Sequence, residues 1–107
     1  MDELANSVQQ FERAAIKPVN QVYVLQLYIA GSSPRSQKAV VNVQKICKQF
    51  SRNNFELQVI DIFQQPLLAK AEQIFAVPTL IRKFPYPKRL FIGDLADTEM
   101  IKASIDS

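Results

Sequence analysis

The fold of this chain is decided by residues 22–34, which read Val22-Tyr23-Val24-Leu25-Gln26-Leu27-Tyr28-Ile29 and then Ala30-Gly31-Ser32-Ser33-Pro34. The first eight residues are almost all aliphatic, β-branched or aromatic, which is typical of a central strand buried on both faces of a sheet. Gly31 breaks the run. Ser33 followed by Pro34 is the pattern of a helix N-cap and a first helical residue. The stretch therefore predicts a strand that leads directly into a helix.

The helix after Pro34 is expected to reach about Phe50. Lys38, Lys45, Lys48 and Arg52 are its solvated charges, and its inward side is apolar: Ala39, Val40, Val43, Ile46, Cys47 and Phe50. A turn at residues 52–54 and a second strand with Leu57, Val59, Ile60 and Ile62 follow. Two strands joined by a helix of this length predict a right-handed βαβ unit.

The second half of the chain consists of shorter segments. Pro66 opens a short helix with Leu67, Leu68, Ala71, Ile74 and Phe75 as its apolar members, and strands follow at 80–84 and 89–92. Asp97 is expected to cap a last helix whose Met100, Ile101 and Ile105 point inward. The order β-α-β-α-β-β-α predicts an α/β, thioredoxin-like fold. Between residues 63 and 92 helix and strand signals compete, so local preference there specifies one structure weakly.

Residues 1–20 are predicted to be a helical extension ahead of a domain at 21–107. Leu4, Val8, Phe11, Ala15 and Ile16 recur at helical spacing, and Pro18 disfavours helix at the residue before it. Two interpretations remain open: the extension docks on the body or on a partner, or it is a frayed tail.

Composition favours a single globular domain. The chain has 107 residues, 48% of them hydrophobic and 21% charged, and a net charge of +3. That charge is too small to indicate nucleic acid, and no apolar run is long enough to span a membrane. The polar, acidic start is unlike a signal peptide, and one cysteine fits a reducing compartment. We therefore expect a cytoplasmic protein.

The residues that catalysis would need are missing. Redox proteins of the thioredoxin type place reactive thiols between the first strand and the next helix, but residues 31–36 contain no cysteine. Cys47 is interpreted as a core residue, with a redox sensor as the alternative. There is no histidine and no glycine-rich phosphate loop, and Asp61, Glu72, Asp94 and Asp97 form no metal pattern. We expect no enzyme, no metal and no cofactor.

Arg82, Lys83, Lys88 and Arg89 are the densest group of positive residues. Three interpretations are open: charges that protect an edge strand, a docking patch for an acidic protein surface, and, more weakly, a nucleic-acid contact. Pro78 occupies the place where thioredoxin-like folds carry a cis proline. It is either part of a structural turn or slow switch, or an ordinary trans turn residue.

The ordered set of segments resembles the KaiB family of small bacterial clock proteins and their relatives. The stretches that carry the resemblance are Val24-Leu25-Gln26-Leu27-Tyr28-Ile29-Ala30-Gly31, Ser33-Pro34 with Ser36, Val59-Ile60-Asp61-Ile62, Pro66-Leu67-Leu68-Ala69, Val77-Pro78-Thr79-Leu80 and Ile92-Gly93-Asp94-Leu95. The resemblance implies a regulator of circadian or stress-response signalling that binds a KaiC-type ATPase and, in clocks, a KaiA-type protein. It also implies fold switching: one thioredoxin-like state binds the partner, and a second, with a rearranged C-terminal half, assembles into dimers or tetramers.

The resemblance also implies roles for particular residues. The resemblance places partner binding in the first helix, with Lys38 and Lys45, and in the region of the second strand. Lys88 and Arg89 match the family's basic pair in part, and the nearby Arg82 and Lys83 are predicted to bind the partner with them. The structural or fold-switching positions are Pro78, Pro85, Pro87, Gly93 and Asp94. Leu90 stands where the family usually has a second arginine, which departs from the pattern for a KaiA-type contact. The alternatives are a sensor or adaptor domain for a histidine kinase pathway and a thioredoxin-like enzyme that uses no cysteine.

Overall fold

A computed structural model describes residues 22–49 and 54–106 of the chain. The elements within these ranges are β1 (Val22–Ile29), α1 (Pro34–Lys48), β2 (Asn54–Asp61), α2 (Pro66–Ala71), β3 (Thr79–Phe84), β4 (Arg89–Ile92) and α3 (Thr98–Asp106). The predicted order of elements is confirmed. The predicted N-terminal helix lies outside the described residues.

The described strands form one mixed sheet in the order β2-β1-β3-β4. β1 pairs in parallel with β2, from Val22 opposite Asn54 to Ile29 opposite Asp61. β3 runs antiparallel to both β1 and β4. The parallel pair joined by α1 is the βαβ unit that the sequence predicts, and β1 is the central strand.

The sheet has two unequal faces. The larger cluster lies under α1 and α3 on what we call the α1/α3 face, and contains Leu25 and Leu27 of β1. The opposite α2 face carries a smaller cluster built from Tyr28, Ile60, Ala69 and Ile81. Because side chains alternate along a strand, β1 contributes buried residues to both clusters. This confirms the prediction of a strand buried on both sides.

The start of α1 follows its sequence signals. Ser33 is the N-cap, Pro34 lies in the first turn, and the Ser33 hydroxyl accepts a hydrogen bond from the Ser36 amide at 3.3 Å. The buried Ser36 hydroxyl in turn accepts the Ala30 amide at 3.0 Å. The helix ends at Lys48, two residues before the predicted end. The entry into α1 is therefore fixed by hydroxyl groups.

The predicted length of the second helix is wrong. α2 ends at Ala71, and Phe75, predicted as an apolar helix member, is 93% exposed. Gln73 has a φ of +57°, and the Gln73 and Ile74 amides donate to the carbonyls of Lys70 and Ala69. This is a Schellman ending with glutamine at the left-handed position, where glycine is usual. The sequence therefore lacks the residue that normally announces the stop.

Two smaller expectations are also corrected. Asn54 was expected in a turn, but it is the first residue of β2. Met100 was expected to point inward, but it is 57% exposed, whereas Ile101 and Ile105 are buried as predicted. The Asp97 cap is confirmed, since its carboxylate accepts the Met100 amide at 3.2 Å.

Candidate protein-interaction site

The outer side of α1 is a cationic surface. Its fifteen residues include Arg35, Lys38, Lys45 and Lys48, all exposed, and no acidic residue. Spacings of three, seven and three residues put these charges on one side of the helix. We call this the α1 cationic face. With no acid on the helix to neutralise it, the face is suited to an acidic protein surface.

A groove runs beside the α1 cationic face. It has a volume of about 580 Å³ and is lined by Pro34, Gln37, Lys38, Val41, Asn42, Asp94 and Ala96. The Asn42 side-chain amide donates to the Asp94 backbone carbonyl at 2.7 Å, which connects α1 to the loop after β4. Val41 is half exposed and supplies an apolar wall. Lys38, predicted to bind a partner, and Asp94, predicted to be a structural or fold-switching position, both line this α1 groove.

The predicted basic group at 82–89 does not form one exposed patch. Arg82 was predicted to contact a partner, but it is 1% exposed, so its side chain is not accessible to one in this structure. Lys83 and Lys88 both contact the Glu72 carboxylate, at 2.6 and 3.1 Å. Arg89, on β4, is exposed. Position along the chain could not show this, because alternation along β3 turns Arg82 inward.

Arg82 has a structural role. Its two terminal nitrogens donate to the Ile105 carbonyl at 2.6 Å and the Pro87 carbonyl at 2.7 Å. A cation at the last carbonyls of a helix is favourable, because those groups lack partners within the helix. Burial, and then the nearby charge of Arg89, lower the pKa of Arg82. Arg82 therefore ties β3, the end of α3 and the 85–87 segment together.

Glu72 pairs with two lysines, a role that was not predicted from the sequence. The Lys83 hydrogen bond is the largest cause of a lowered pKa for its carboxyl, and the Lys88 hydrogen bond adds to it against the opposing effect of burial. These partners are eleven and sixteen residues away in the chain. No local sequence signal reports contacts over such distances.

Pro78, Gly93 and Asp94 come together at the end of the sheet where α1 begins. The Val77–Pro78 bond is cis, which is one of the two alternatives left open by the sequence, and the Pro78 carbonyl accepts the Gly93 amide at 2.9 Å. Gly93 has a φ of +116°, a conformation that glycine adopts far more easily than other residues. The Asp94 carboxylate accepts the Ala96 amide. Pro85 and Pro87, each after a cis bond, lie apart from this group between β3 and β4.

The place of a redox pair is taken by two serines. The Ser33 and Ser36 hydroxyl oxygens are 2.8 Å apart at the N-terminus of α1, with the spacing that a C-x-x-C motif would have. The one cysteine, Cys47, is buried, and its burial raises the pKa of the thiol to about 11. Cys47 is therefore protonated at neutral pH, and the interpretation as a core residue is confirmed.

The described residues contain neither a metal-ligating cluster nor a membrane-spanning helix. Within 22–49 and 54–106, no group of three or more acidic, cysteine or histidine residues could hold a metal ion. None of the helices in those ranges has the length and apolar character to cross a membrane.

A mixed sheet of thioredoxin-like order, with two serines at the C-x-x-C positions and a cationic first helix, defines a protein of the thioredoxin-fold class. Comparison with known proteins narrows this class. The KaiB domain matches residues 26–106, and the chain belongs to the KaiB family.

The relatives are clock proteins. The chain is 40% identical to the circadian clock protein KaiB3 of Synechocystis sp. over 83 residues, which cover 78% of this chain and 81% of that one. It is 38% identical to the circadian clock oscillator protein KaiB of Trichodesmium erythraeum over 91 residues, covering 85% and 88%. A regulatory role of the clock-protein type follows from this membership.

Solved structures confirm the fold. The N-terminal domain of Synechococcus elongatus SasA matches with a TM-score of 0.67 and 24% identity, over 84% of this chain and 85% of that one. The germline-specific thioredoxin Deadhead of Drosophila melanogaster matches with a TM-score of 0.64 and 13% identity, over 95% and 91%. At these identities the likeness concerns the fold alone, and the predicted thioredoxin-like fold is confirmed.

Proposed function

We propose that this chain is a regulatory protein that binds a KaiC-type ATPase through the α1 cationic face and the α1 groove, and that it acts by binding and not by catalysis. The observation that carries the proposal is the exposed face of Arg35, Lys38, Lys45 and Lys48 on a KaiB-family fold. Opposite charges across an interface speed encounter and select partners. The partner surface is therefore expected to be acidic.

Two groups of predicted residues contribute unequally to this proposal. Lys38 and Lys45 are exposed and lie on the proposed surface. Lys83 and Lys88 form ion pairs with Glu72 of the same chain, and Arg82 is buried. We therefore assign the main contact to α1, with Arg89 as the exposed cation of the second group. A KaiA-type contact through the second group is the weaker part of the assignment.

We further propose that the second half of the chain exchanges between this fold and another that assembles into dimers or tetramers. The supporting observation is its thin construction. α2 has six residues, β4 has four, and Leu90 and Ile92 of β4 are exposed. Sedimentation over a concentration series tests the assembly: association with rising concentration supports it, and monomers throughout contradict it.

The test of partner binding is size-exclusion chromatography of the full chain with a KaiC homologue and ATP, sampled from minutes to a day. Lys38→Glu and Lys70→Glu form a matched pair, since both replace an exposed helical lysine with the same change of charge. Like charges at an interface cost several kcal/mol, so Lys38→Glu should weaken binding at least about tenfold, and Lys70→Glu little.

The time course separates the two proposals. Slow complex formation at a rate independent of partner concentration supports a conformational step before binding. Fast binding supports the proposed partner and contradicts the proposed exchange between two folds. Absence of binding after a day removes the KaiC-type partner and favours an adaptor for another signalling protein. Equal loss in Lys38→Glu and Lys70→Glu would contradict the assignment to α1.

A further inference from the structure

The two faces of the sheet are covered to different extents within the described residues. On the α1/α3 face, helices of fifteen and nine residues cover the sheet, and Leu25 and Leu27 are fully buried. On the α2 face, the six residues of α2 pack near Tyr28 and Ile60, at the carboxyl ends of β1 and β2. The half of this face at the amino end of β1 has no helix over it among residues 22–49 and 54–106.

This uncovered area, which we call the open half, has an apolar centre. Alternation along β1 puts Val22 and Val24 on the α2 face, and Phe84 of β3 pairs with Val24. Val22 is 36% exposed and Phe84 is 43% exposed. Leaving such side chains in water forgoes about 25 cal/mol for each Å² of apolar area.

The rim of the open half is polar. The Tyr28 hydroxyl donates to the Gln26 side-chain carbonyl, and the Gln26 amide donates to Gln58, each at 3.1 Å. Gln26 is buried, whereas Gln58 and its neighbour Glu56 on β2 are exposed. An apolar centre with a polar edge is suited to one amphipathic helix.

We propose that residues 2–16 of the same chain form a helix that packs on the open half. The chain enters β1 at Val22, which is itself part of the open half. A helix of fifteen residues is about 22 Å long, whereas half of an eight-residue strand is roughly 13 Å long, so the helix is long enough to cover the open half. Residues 17–21 are left as the connection, and five residues are within the usual length of a link between a helix and a strand.

The pattern of residues 2–16 supplies the matching surface. Leu4, Val8, Phe11 and Ala15 recur at spacings of four, three and four, which gives one apolar side. Pro18 ends the helix before the reversal into β1. The α1/α3 face cannot be the docking site, because α1 and α3 already bury it. The occupant we assign is therefore this segment, and not a second copy or another protein.

The test uses tryptophan fluorescence of the full chain, because the protein contains no tryptophan of its own. Phe11→Trp places the probe on the apolar side of the segment. Gln10→Trp, the matched control, places it about 100° further round the helix, outside the apolar side. The proposal expects a blue-shifted emission and several-fold weaker acrylamide quenching for Phe11→Trp than for Gln10→Trp. Sedimentation on the same samples must show that this difference persists in the monomer.

A second pair of variants locates the docking site. Val22→Lys, on the open half, should expose the Phe11→Trp probe. Val41→Lys, the same substitution at an exposed position of α1, is the control and should leave the probe shielded. Equal quenching of the two tryptophan probes would overturn the proposal. So would shielding that appears only as chains associate or only when another protein is added, or equal effects of the two lysine variants.

Discussion

The first half of the molecule, β1-α1-β2, and the second half, from α2 to β4, contribute to the same sheet but differ in the length and burial of their elements. β1 has neighbours on both edges and buried residues on both faces, and α1 has a hydroxyl-capped start. α2 and β4 are short, and β4 is an edge strand with exposed Leu90 and Ile92. β3 is buried as β1 is, so the lightly packed elements of the second half are α2 and β4, to which Arg82 and Glu72 add single long-range contacts.

The largest difference between the halves is expected from truncating one leucine in each. Leu27→Ala removes a fully buried side chain from β1 and should lower the free energy of unfolding by about 3 to 4 kcal/mol. Leu90→Ala, on a half-exposed residue of β4, should cost about 1 kcal/mol or less. Urea denaturation measures both. Equal losses would remove the contrast between the halves.

Arg82 tests whether the second half depends on a single side chain. Arg82→Met leaves the carbonyls of Ile105 and Pro87 without their donor, and should cost about 2 to 3 kcal/mol. Arg82→Lys should recover part of this, since lysine keeps the charge but not the two-pronged geometry. The control, Arg89→Met on an exposed residue, should change thermal or urea stability by about 0.5 kcal/mol or less. A harmless Arg82→Met would contradict the structural role.

Glu72 makes the second half sensitive to acid. Its pKa is lowered in the folded chain from an ordinary value of 4.5, so its stabilising contribution is present above pH 4.5 and is lost as the pH falls through the lowered value. Both lysine partners are more than a third exposed, and solvent screening limits the effect to about 1 kcal/mol. Glu72→Gln should show this loss at pH 7, and its difference from the parent chain should disappear as the pH falls below the lowered pKa of Glu72. A difference that is independent of pH would exclude the ion pairs as the cause.

The smallest expected effect is a gain in stability, at the end of α2 in the second half. Gln73→Gly should stabilise the chain by about 0.5 to 1 kcal/mol, because Gln73 has a positive φ that glycine adopts without a steric penalty. Gln49→Gly at the end of α1 is the matched control. Gln49 has a φ of −79° and should gain nothing. Thermal unfolding of the two variants distinguishes them, and stabilisation by both would point to a cause other than backbone strain.

Much of the first half could be predicted from sequence, because its signals are local. The apolar run of β1 and the Ser33-Pro34 start of α1 each lie within a few adjacent residues. The end of α2 was missed because Gln73 takes a conformation that its side chain does not announce. The burial of Arg82 and the pairing of Glu72 were missed for a different reason, since both depend on residues brought together by the fold. The cationic face could be predicted in part, through Lys38 and Lys45, whereas the groove beside it required the fold.

The bond from Asn42 to the Asp94 carbonyl gives the α1 groove a thermodynamic property. One wall of the groove belongs to α1 and the other to the loop after β4, so the groove exists while α1 and this loop hold their relative placement. A ligand that fills it must stabilise this arrangement over any other, by about 1.4 kcal/mol for each tenfold excess of free ligand over its Kd. By linkage, any change that separates α1 from the loop after β4 weakens the binding of that ligand by an equal free energy.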